Sequence, residues 1–269
     1  MPPIPAQSLI VQEMYEAAAK SREEPRNYLG MSGIGEICPR KIWYGFRGYS
    51  PVPMEGRAAM IFDMGNRVEE AVVSWLRKAG YHIEGQQTDF SAHNGFFRGH
   101  CDGMIDGVTS RRHILEIKSA NDRKFKAFRD NGIRAVSETY YAQVQCYMGY
   151  AGLERAVWVV MNKNTCELYA ERAYFNKQDF EVLHRKALDI ITAQEVPEPV
   201  ENPFCSWCDF RLWCKSPLEA MQTRKTCGTC VWLDMSLEPK CRHPEHAFPL
   251  KKWGLSCEHW QLKNGDIPF

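Results

Sequence analysis

The feature that most restricts the fold of this chain is a short apolar run, 113–119, interrupted by one acid and one base. Side chains alternate along a β-strand, so Glu116 and Lys118 are predicted to share one face, with Leu115 and Ile117 on the other. Burying two charged side chains in a strand is costly unless they are paired or used. The run therefore predicts a strand that carries either a buried salt bridge or a polar site.

A second acid, Asp102, lies in the preceding predicted strand, within the sequence Gly-His-Cys-Asp-Gly. If Asp102 lies across from Glu116, the two carboxylates and the Ile117 carbonyl would form a site of hard oxygen ligands suited to Mg²⁺ or Mn²⁺. Lys118 would then hold or help to deprotonate an attacking water while the metal stabilises phosphate charge. A Glu-x-Lys pattern alone is common, so the salt bridge remains the alternative unless other residues join the site.

Two predicted helices offer such residues. The segment 57–79 has an apolar stripe at helical spacing, formed by Ile61, Val68, Val72, Trp75 and Leu76. Glu69 borders this stripe and Glu70 points away, so Glu69 is expected to reach an interior site and Glu70 to face water. A surface salt bridge is the alternative for Glu69.

Gln143 and Tyr147 lie four residues apart in a predicted helix, 137–151, and therefore share a face. An amide and a hydroxyl are suited to holding a phosphate or orienting a metal ligand. The alternative is ordinary core packing with one hydrogen bond.

The remaining pattern predicts helices that flank a sheet of at least four strands. The strands are predicted at 96–105, 113–119, 156–161 and 167–175. Further helices are predicted at 8–20, at 121–130, at 176–194, and from an N-cap at Ser32 through Tyr44. We assign the chain to the α/β (α+β) class, with a mixed central sheet and a metal-stapled, cysteine-rich C-terminal region. The domains are an N-terminal helical segment (1–31), a core (32–216) and a small tail (217–269).

The order of these elements, helix with Glu69, strand with Asp102, strand with Glu-x-Lys and helix with Gln-x-x-x-Tyr, resembles the RecB-like branch of the PD-(D/E)XK nuclease superfamily. That branch includes CRISPR-associated RecB-like iron–sulfur exonucleases and phage lambda-type exonucleases. The resemblance extends from Ser32 to Cys214. It implies a restriction-endonuclease-like core.

Residue by residue, the resemblance implies that Asp102, Glu116 and the Ile117 carbonyl bind the metal and that Lys118 is the catalytic lysine. Gln143 and Tyr147 match the glutamine–tyrosine motif of the family. The chain departs from it at Glu69, where many RecB-like members have histidine; a glutamate there is expected to ligate the metal as well.

The activity implied is a divalent-metal-dependent DNA exonuclease, running 5′ to 3′, in phage-type recombination or DNA end processing. Its partners would be single- or double-stranded DNA ends, a recombination protein and further copies of the chain. Two alternatives are a degenerate nuclease fold that binds DNA ends without cutting, and an iron–sulfur redox protein. The second leaves the acidic residues and Lys118 unexplained.

Charge and hydropathy say little about the partners of the protein. The net charge is +1, so charge alone does not indicate a nucleic-acid partner. A cluster of basic residues directly after the Glu-x-Lys strand is interpreted either as a solvated helix face or as a phosphate-binding rim: Arg123, Lys124, Lys126 and Arg129. The apolar runs are too short to cross a bilayer and the N-terminus lacks a signal-peptide pattern, so we expect a cytoplasmic protein without a membrane partner.

The chain has eleven cysteines. Without a secretion signal, metal binding is a better interpretation than disulfides. The first group is Cys38, Cys205, Cys208 and Cys214, which resembles the iron–sulfur staple of RecB-like exonucleases. The resemblance favours a [4Fe–4S] cluster, with zinc as the alternative. The interleaved aromatic residues would shield the cluster from water: Phe204, Trp207, Phe210 and Trp213.

The second group, Cys227, Cys230, Cys241 and Cys257, predicts a structural Zn²⁺ site in the tail. A tail of this size is too small to be stable by burial alone. Candidate substitute ligands are His243, His246 and His259. We interpret the other three cysteines as buried small apolar residues: Cys101, Cys146 and Cys166.

Overall fold

The structure is a computed structural model. It describes residues 9–20, 28–49, 56–215, 226–236, 238–245, 248–250, 257–259 and 261. The described helices are α1 (Leu9–Lys20), α2 (Pro39–Arg47), α3 (Gly56–Lys78), α4 (Asp122–Asn131), α5 (Ile133–Val136), α6 (Glu138–Ala151), α7 (Lys177–Thr192) and α8 (Arg211–Lys215).

The strands of the core are β1 (Leu29–Gly30), β2 (His82–Glu84), β3 (Thr88–Ala92), β4 (Phe97–Cys101), β5 (Gly103–Asp106), β6 (His113–Ala120), β7 (Arg155–Asn162) and β8 (Leu168–Tyr174). Three further strands lie in the tail: β9 (Leu233–Asp234), β10 (Lys240–Cys241) and β11 (Phe248–Pro249). The mixed α/β class that the sequence predicts is therefore observed.

A five-stranded sheet in the order β2-β5-β6-β7-β8 forms the centre of the molecule. Strands β6 and β7 are parallel and the other pairs are antiparallel. A parallel pair needs a long crossover, and here α4, α5 and α6 supply it. Apolar side chains cover both faces of the sheet. On one face Leu115 and Ile117 pack with Val68 and Val72 of α3; on the other, Ile114 belongs to the larger core, which includes much of α6.

A smaller sheet, β1-β4-β3, lies beside the central one. The prediction of a single strand over 96–105 is wrong, because β4 pairs with β3 in the small sheet while β5 pairs with β6 in the central sheet. The chain passes from one sheet to the other at Asp102. A local sequence pattern cannot show such a change of partner, because both halves are equally extended.

The start of α2 differs from the prediction. Ser32 lies in a 3₁₀ turn, Met31–Gly33, and the N-cap of α2 is Cys38, followed by Pro39 at the first helical position. Proline suits that position because its missing N–H would have no helical partner. The N-cap therefore lies at Cys38, six residues after the predicted cap at Ser32.

The central helices agree better with the sequence. The long helix α3 is found where it is predicted, and Val68 and Val72 are buried, but Ile61 and Trp75 of the predicted stripe are exposed. The N-cap of α7 is Asn176, whose side chain accepts a hydrogen bond from the Asp179 amide at 3.1 Å. No helix in the described part of the chain is long and apolar enough to span a membrane.

The tail contacts the end of α2. The Arg47 guanidinium is buried, and its Nε donates to the Gly228 carbonyl at 2.7 Å. A Cβ on Gly228 would lie 2.3 Å from the Arg47 carbonyl oxygen, so only glycine allows this approach. The turn that begins with Cys227 is therefore packed directly on the core.

Candidate active site

The Glu116 and Lys118 side chains lie on the same face of β6, as the alternation predicts. Glu116 is fully buried, and Lys118 Nζ donates to its Oε1 at 2.5 Å. Among the residues that the structure describes, none donates a hydrogen bond to the other oxygen, Oε2. A buried carboxylate oxygen without a partner is costly. The salt bridge therefore satisfies only half of this carboxylate.

Asp102 lies beside this pair because it is the residue at which the chain changes sheets. Its Oδ2 accepts a hydrogen bond from the Ile117 backbone N–H at 2.6 Å. Strand β5 pairs with β6 only as far as Leu115, and the Asp102 carboxylate accepts the next free N–H of β6, that of Ile117. Burial raises the pKa of Asp102, and Lys118 and the Ile117 N–H oppose the rise.

Glu69 of α3 approaches the same site from a third element. It is half-buried, whereas Glu70 is exposed. Gln87, in the turn before β3, donates from Nε2 to Glu69 Oε1 at 3.0 Å. Burial raises the pKa of Glu69, and the negative charge of Asp102 raises it further. Glu69 is therefore close enough to interact electrostatically with the other carboxylates.

The three carboxylates destabilise each other's charged forms. Burial, together with Asp102 and Glu69, raises the pKa of Glu116 to about 8, although Lys118 opposes the shift. Burial lowers the pKa of Lys118, but Glu116 and Asp102 outweigh it, and the net effect is a raised pKa. A single lysine does not compensate three acids. A divalent cation held by oxygen ligands would supply the missing positive charge.

Gln143 and Tyr147 of α6 lie next to this site. Gln143 Nε2 donates to the Tyr147 hydroxyl at 2.9 Å, and both side chains are buried. Burial raises the pKa of Tyr147, and Glu116 and Asp102 add to the rise. The close packing depends on Gly99, because a Cβ there would lie 2.7 Å from the Tyr147 ring.

The sequence reasoning missed Tyr140, which precedes Gln143 by one turn of α6. Lys118 Nζ lies 4.9 Å from the centroid of its ring, and Lys124 Nζ of α4 lies 4.6 Å from it. Cations over an aromatic face are attracted to the ring. Tyr140 thus brings Lys118 of β6 and Lys124 of α4 together. Its position three residues before Gln143, on the same helix face, is the sequence signal that could have identified it.

The basic cluster on α4 divides into two kinds of side chain. All four are exposed, but Lys126 forms an ion pair with Asp122 at 2.8 Å and Arg129 with Asp130 at 3.2 Å. Lys124 instead lies over the Tyr140 ring, and its Nζ is 3.5 Å from the Tyr140 hydroxyl. Lys124 is the cluster member that contacts the residues around Lys118.

The first cysteine group is brought to one region, but no three of its thiols lie within 4.8 Å of one another. Cys38 is close enough to Cys208 and Cys214 to help raise the pKa of each thiol, after burial as the main cause. Cys205 lies in the same turn as Cys208, whose N–H donates to the Cys205 carbonyl at 3.2 Å. This brings the N-terminus of α2 to the segment around α8. The identity of a bound metal stays a prediction.

The shielding role proposed for the aromatic residues is wrong for two of the four. Phe210 and Trp213 are buried against Tyr44 and Tyr49 of the α2 region, but Phe204 is 74% exposed and Trp207 82% exposed. The aromatic packing therefore joins α2 to α8 rather than covering the cysteine turn.

The thiols of the second group are not gathered around one point. The described residues bring one set of three candidate ligand atoms within 4.8 Å of one another, and it consists of His243, Glu245 and His259. Four thiolates on one zinc would be about 3.8 Å apart. The four-cysteine site stays a prediction, and His246 lies outside the described residues. Of the remaining cysteines, Cys101 and Cys146 are buried as predicted, whereas Cys166 is exposed.

No curated protein is significantly similar to this chain in sequence. Several solved structures are similar at low identity. The protein SSO0001 is 18% identical, with a TM-score of 0.48 over 78% of this chain and 98% of its own. An alkaline exonuclease from Laribacter hongkongensis is 13% identical (TM-score 0.45; 66% and 89% covered), and a phage-related exonuclease from Haemophilus somnus 129PT is 13% identical (TM-score 0.33; 46% and 66% covered).

A family model covers the site itself. Residues 65–154, about a third of the chain, match the YqaJ-like viral recombinase domain. The matched segment runs from α3 to the end of α6 and contains all six side chains assigned to the site: Glu69, Asp102, Glu116, Lys118, Gln143 and Tyr147. The two cysteine groups lie outside it. The similarity to this domain therefore covers the candidate site and leaves the cysteine-rich segments unmatched.

Proposed function

We propose that the protein is a divalent-metal-dependent DNA exonuclease of the phage recombination type. The observation that carries the proposal is that Asp102 and Glu69 lie near enough to Glu116 to raise its pKa, and that one buried oxygen of Glu116 lacks a partner in the described residues. The oxygens of the three carboxylates do not all lie within 4.8 Å of one another, so an ion would draw them together. The match of 65–154 to a viral recombinase domain supports DNA as the substrate.

Mg²⁺ or Mn²⁺ would be held by the three carboxylates and the Ile117 carbonyl. The donor set fits such an ion, because it is all oxygen and carries more negative charge than Lys118 offsets. A divalent ion bound there stabilises charge on a phosphate and makes its bound water more acidic. The chain contributes the rigid placement: Asp102 is held by the Ile117 N–H, and Glu69 by Gln87.

Lys118 would act as a cation. Glu116 and Asp102 raise its pKa, so the amine is protonated at neutral pH. A protonated amine is a donor and not a base, which suits holding a water or a non-bridging phosphate oxygen in position. Of the two roles considered for Lys118, holding the water is the better supported.

Lys124 and its neighbours would hold the DNA backbone. Lys124 lies beside Tyr140 and near Lys118, at the edge of the site, where a cation can contact the phosphate next to the scissile bond. We propose that Arg123, Lys126 and Arg129 extend this contact along α4. Cleavage would begin at DNA ends and run 5′ to 3′, with the terminal phosphate held by these cations.

The test is digestion of end-labelled single- and double-stranded DNA with Mg²⁺ or Mn²⁺. Asp102→Asn, Glu116→Gln and Lys118→Ala should each lower the rate by about 100-fold or more while the protein stays folded. Glu70→Ala is the matched control, since Glu70 is exposed. Full activity in excess EDTA would refute metal dependence, and DNA binding without any cleavage would favour the non-cutting alternative.

Polarity has its own test. We expect nucleotides to be released from a substrate blocked at the 3′ end but not from one blocked at the 5′ end. Covalently closed circular DNA should resist digestion under conditions that degrade linear DNA. Nicking of the circle at the linear rate would exclude end dependence.

We also propose that Cys38, Cys205, Cys208 and Cys214 hold a [4Fe–4S] cluster, with zinc as the alternative. Cys38 influences the pKa of the Cys208 and Cys214 thiols, so the three lie in one region, although a shared metal would require the thiols to move closer together. An anaerobic preparation should be brown, with broad absorbance near ~400 nm from thiolate-bound iron, and each Cys→Ala substitution should bleach it. A colourless protein containing only zinc would overturn the iron assignment.

A further inference from the structure

Two histidines and a glutamate of the tail are brought together although they are separate in sequence. His243 and Glu245 follow β10, and His259 belongs to the segment 257–259. The rings of His243 and His259 are stacked, with centroids 4.2 Å apart. His259 Nε2 lies 3.8 Å from a Glu245 carboxylate oxygen. Ligand atoms of all three residues lie within 4.8 Å of one another.

Each of the three residues is oriented towards the others. The Glu245 backbone N–H donates to His243 Nδ1 at 3.2 Å, which fixes the ring beside Glu245; an ion bound by this ring would replace that bond. The other side of the His243 ring meets Trp232 edge-on, with centroids 5.0 Å apart, which restricts its rotation. A second carboxylate, Glu258, lies 3.5 Å from His259 Nε2. The cluster thus combines two imidazoles with local negative charge.

The surroundings of His82 show what such a cluster looks like when a cation already balances its carboxylates. His82 also lies near two carboxylates, Glu84 and Asp106, but Arg112 forms ion pairs with both at 3.2 Å and 2.7 Å. In the described part of the tail, the ion pair of Glu245 is with His259 alone. The tail cluster therefore has ligands of the right kind, and no arginine among the described residues pairs with its Glu245 carboxylate.

We propose that His243, Glu245 and His259 bind a divalent transition metal ion, with Zn²⁺ the best match. Imidazole nitrogen and carboxylate oxygen are zinc ligands at about 2.0–2.2 Å, which places them about 3.4 Å apart on a tetrahedral ion. The present spacing of up to 4.8 Å needs a small inward movement, which the exposed Glu245 side chain can make. Three protein ligands leave the fourth position to water.

The ion would have a structural effect. It would join the segment after β10 to the segment 257–259. Close to that segment, the Val231 N–H donates a hydrogen bond to the Gln261 carbonyl at 2.9 Å. Closing this loop restricts the unfolded chain and adds the metal's binding free energy to folding. This site is separate from the proposed nuclease centre and does not depend on it.

The test is metal binding by the full-length protein, measured as bound Zn²⁺ after equilibrium dialysis. The double variant H243A/H259A should bind one equivalent less than the wild type. Glu245→Gln, which keeps the size of the side chain, should weaken the affinity at least about tenfold. The matched control His82→Ala should bind as the wild type does.

A Co²⁺ difference spectrum between the wild type and the double variant identifies the ligands. Nitrogen and oxygen ligation predicts weak visible bands without an intense near-ultraviolet thiolate band, and C227S/C230S should retain them. Unchanged zinc stoichiometry in H243A/H259A would overturn the proposal. So would loss of the same equivalent in C227S/C230S with a thiolate band in the difference spectrum, since that result assigns the ion to the cysteines.

Discussion

At the scale of single residues, the three acids of the site are held in three different ways. Glu116 is enclosed by the core and bonded to Lys118, Asp102 is fixed by a backbone N–H, and Glu69 is half-buried and bonded to the Gln87 amide. Substitutions of these residues should therefore have different signatures, although all three carry the same functional group.

Glu69→Ala should reduce activity far more than Glu70→Ala. Glu69 shares the electrostatic environment of Asp102 and Lys118, whereas its neighbour faces solvent. We expect a loss of about 100-fold for Glu69→Ala and less than about twofold for Glu70→Ala. The measurement is kcat/KM on linear DNA at saturating Mn²⁺, and equal losses would contradict the assignment of Glu69.

Glu116→Gln should change how the metal-free protein responds to pH. Burial raises the pKa of Glu116 from 4.5 to about 8 in the folded state. When a carboxyl group has a higher pKa in the folded than in the unfolded state, its protonation stabilises the fold. This stabilisation is full below the unfolded-state pKa and is lost as the pH rises through the folded-state pKa. In EDTA, the wild-type Tm should thus fall as pH rises from about 4.5 to about 8, and the glutamine variant should lack this component. With Mn²⁺ in place of EDTA, the Tm of the wild type should rise, and the rise should be largest at alkaline pH. A parallel decline in both proteins would assign the effect to another group.

At the scale of elements, the site is a junction of β6, α3, α4 and α6. Strand β6 supplies the acid and the base, α3 supplies Glu69, and α6 closes one side with Gln143 and Tyr147. Tyr140 connects α6 to α4 through two lysines. This arrangement suggests that the position of α4 relative to β6 affects both binding and the chemical step.

Tyr140→Leu should lower kcat and weaken DNA binding together, because the ring positions Lys118 as well as Lys124. Tyr140→Phe keeps the ring and should retain most of the activity. Removal of a cation–π contact is worth about 1 kcal/mol or somewhat more, so we expect about a tenfold loss in kcat/KM for leucine. Equal activity of the leucine and phenylalanine variants would show that the ring has no positioning role.

Lys124→Ala should reduce DNA affinity more than Lys126→Ala. The amine of Lys126 is engaged by Asp122, whereas Lys124 lies at the edge of the site. The measurement is the DNA dissociation constant at several salt concentrations. Loss of one phosphate contact should reduce the slope of log K against log salt by about one. If Lys126→Ala causes the larger change, the phosphate contact is on the outer side of α4.

At the scale of the whole molecule, helix α2 near the N-terminus contacts segments from the C-terminal third of the chain. Trp43 Nε1 donates to the Ala193 carbonyl at 3.1 Å and Arg40 Nε to the Pro197 carbonyl at 2.7 Å. Arg47 then holds the turn at Gly228. The core therefore holds the cysteine-rich segments through ordinary contacts in addition to any metal.

Gly228→Ala should destabilise the protein, because its Cβ would overlap the Arg47 carbonyl. Overpacking of this kind costs about 1–3 kcal/mol, so we expect Tm to fall by about 2–10 °C. Gly33→Ala is the matched control, since a Cβ there meets no atom within 4 Å. A wild-type Tm for Gly228→Ala would show that the tail does not pack on α2 in solution.

The elements with a long, regular pattern were predictable from the sequence. Helices α3, α6 and α7 and the hairpin β7–β8 are found at their predicted positions, and the shared face of Glu116 and Lys118 follows from alternation alone. The short strands β2 and β3 were missed, since three to five residues carry too little periodicity. The true N-cap of α2, Cys38, was missed because Ser32 is a more usual capping residue.

The rest of the site depends on tertiary contacts that no local pattern encodes. The bond from Gln87 to Glu69 joins residues 18 apart, and Tyr140 matters only because β6 and α4 both lie beside α6. The grouping of His243 with His259 likewise depends on how the tail folds back.

The change of sheets at Asp102 has a consequence for insertions and deletions in related sequences. Because Asp102 is the single residue between β4 and β5, its direction depends on the register of both strands. Adding or removing one residue within β4 would turn the side chains between that point and Asp102 to the opposite face of the sheet. Length variation should therefore be tolerated in the turn between β3 and β4, at 93–95, and rejected between that turn and Asp102.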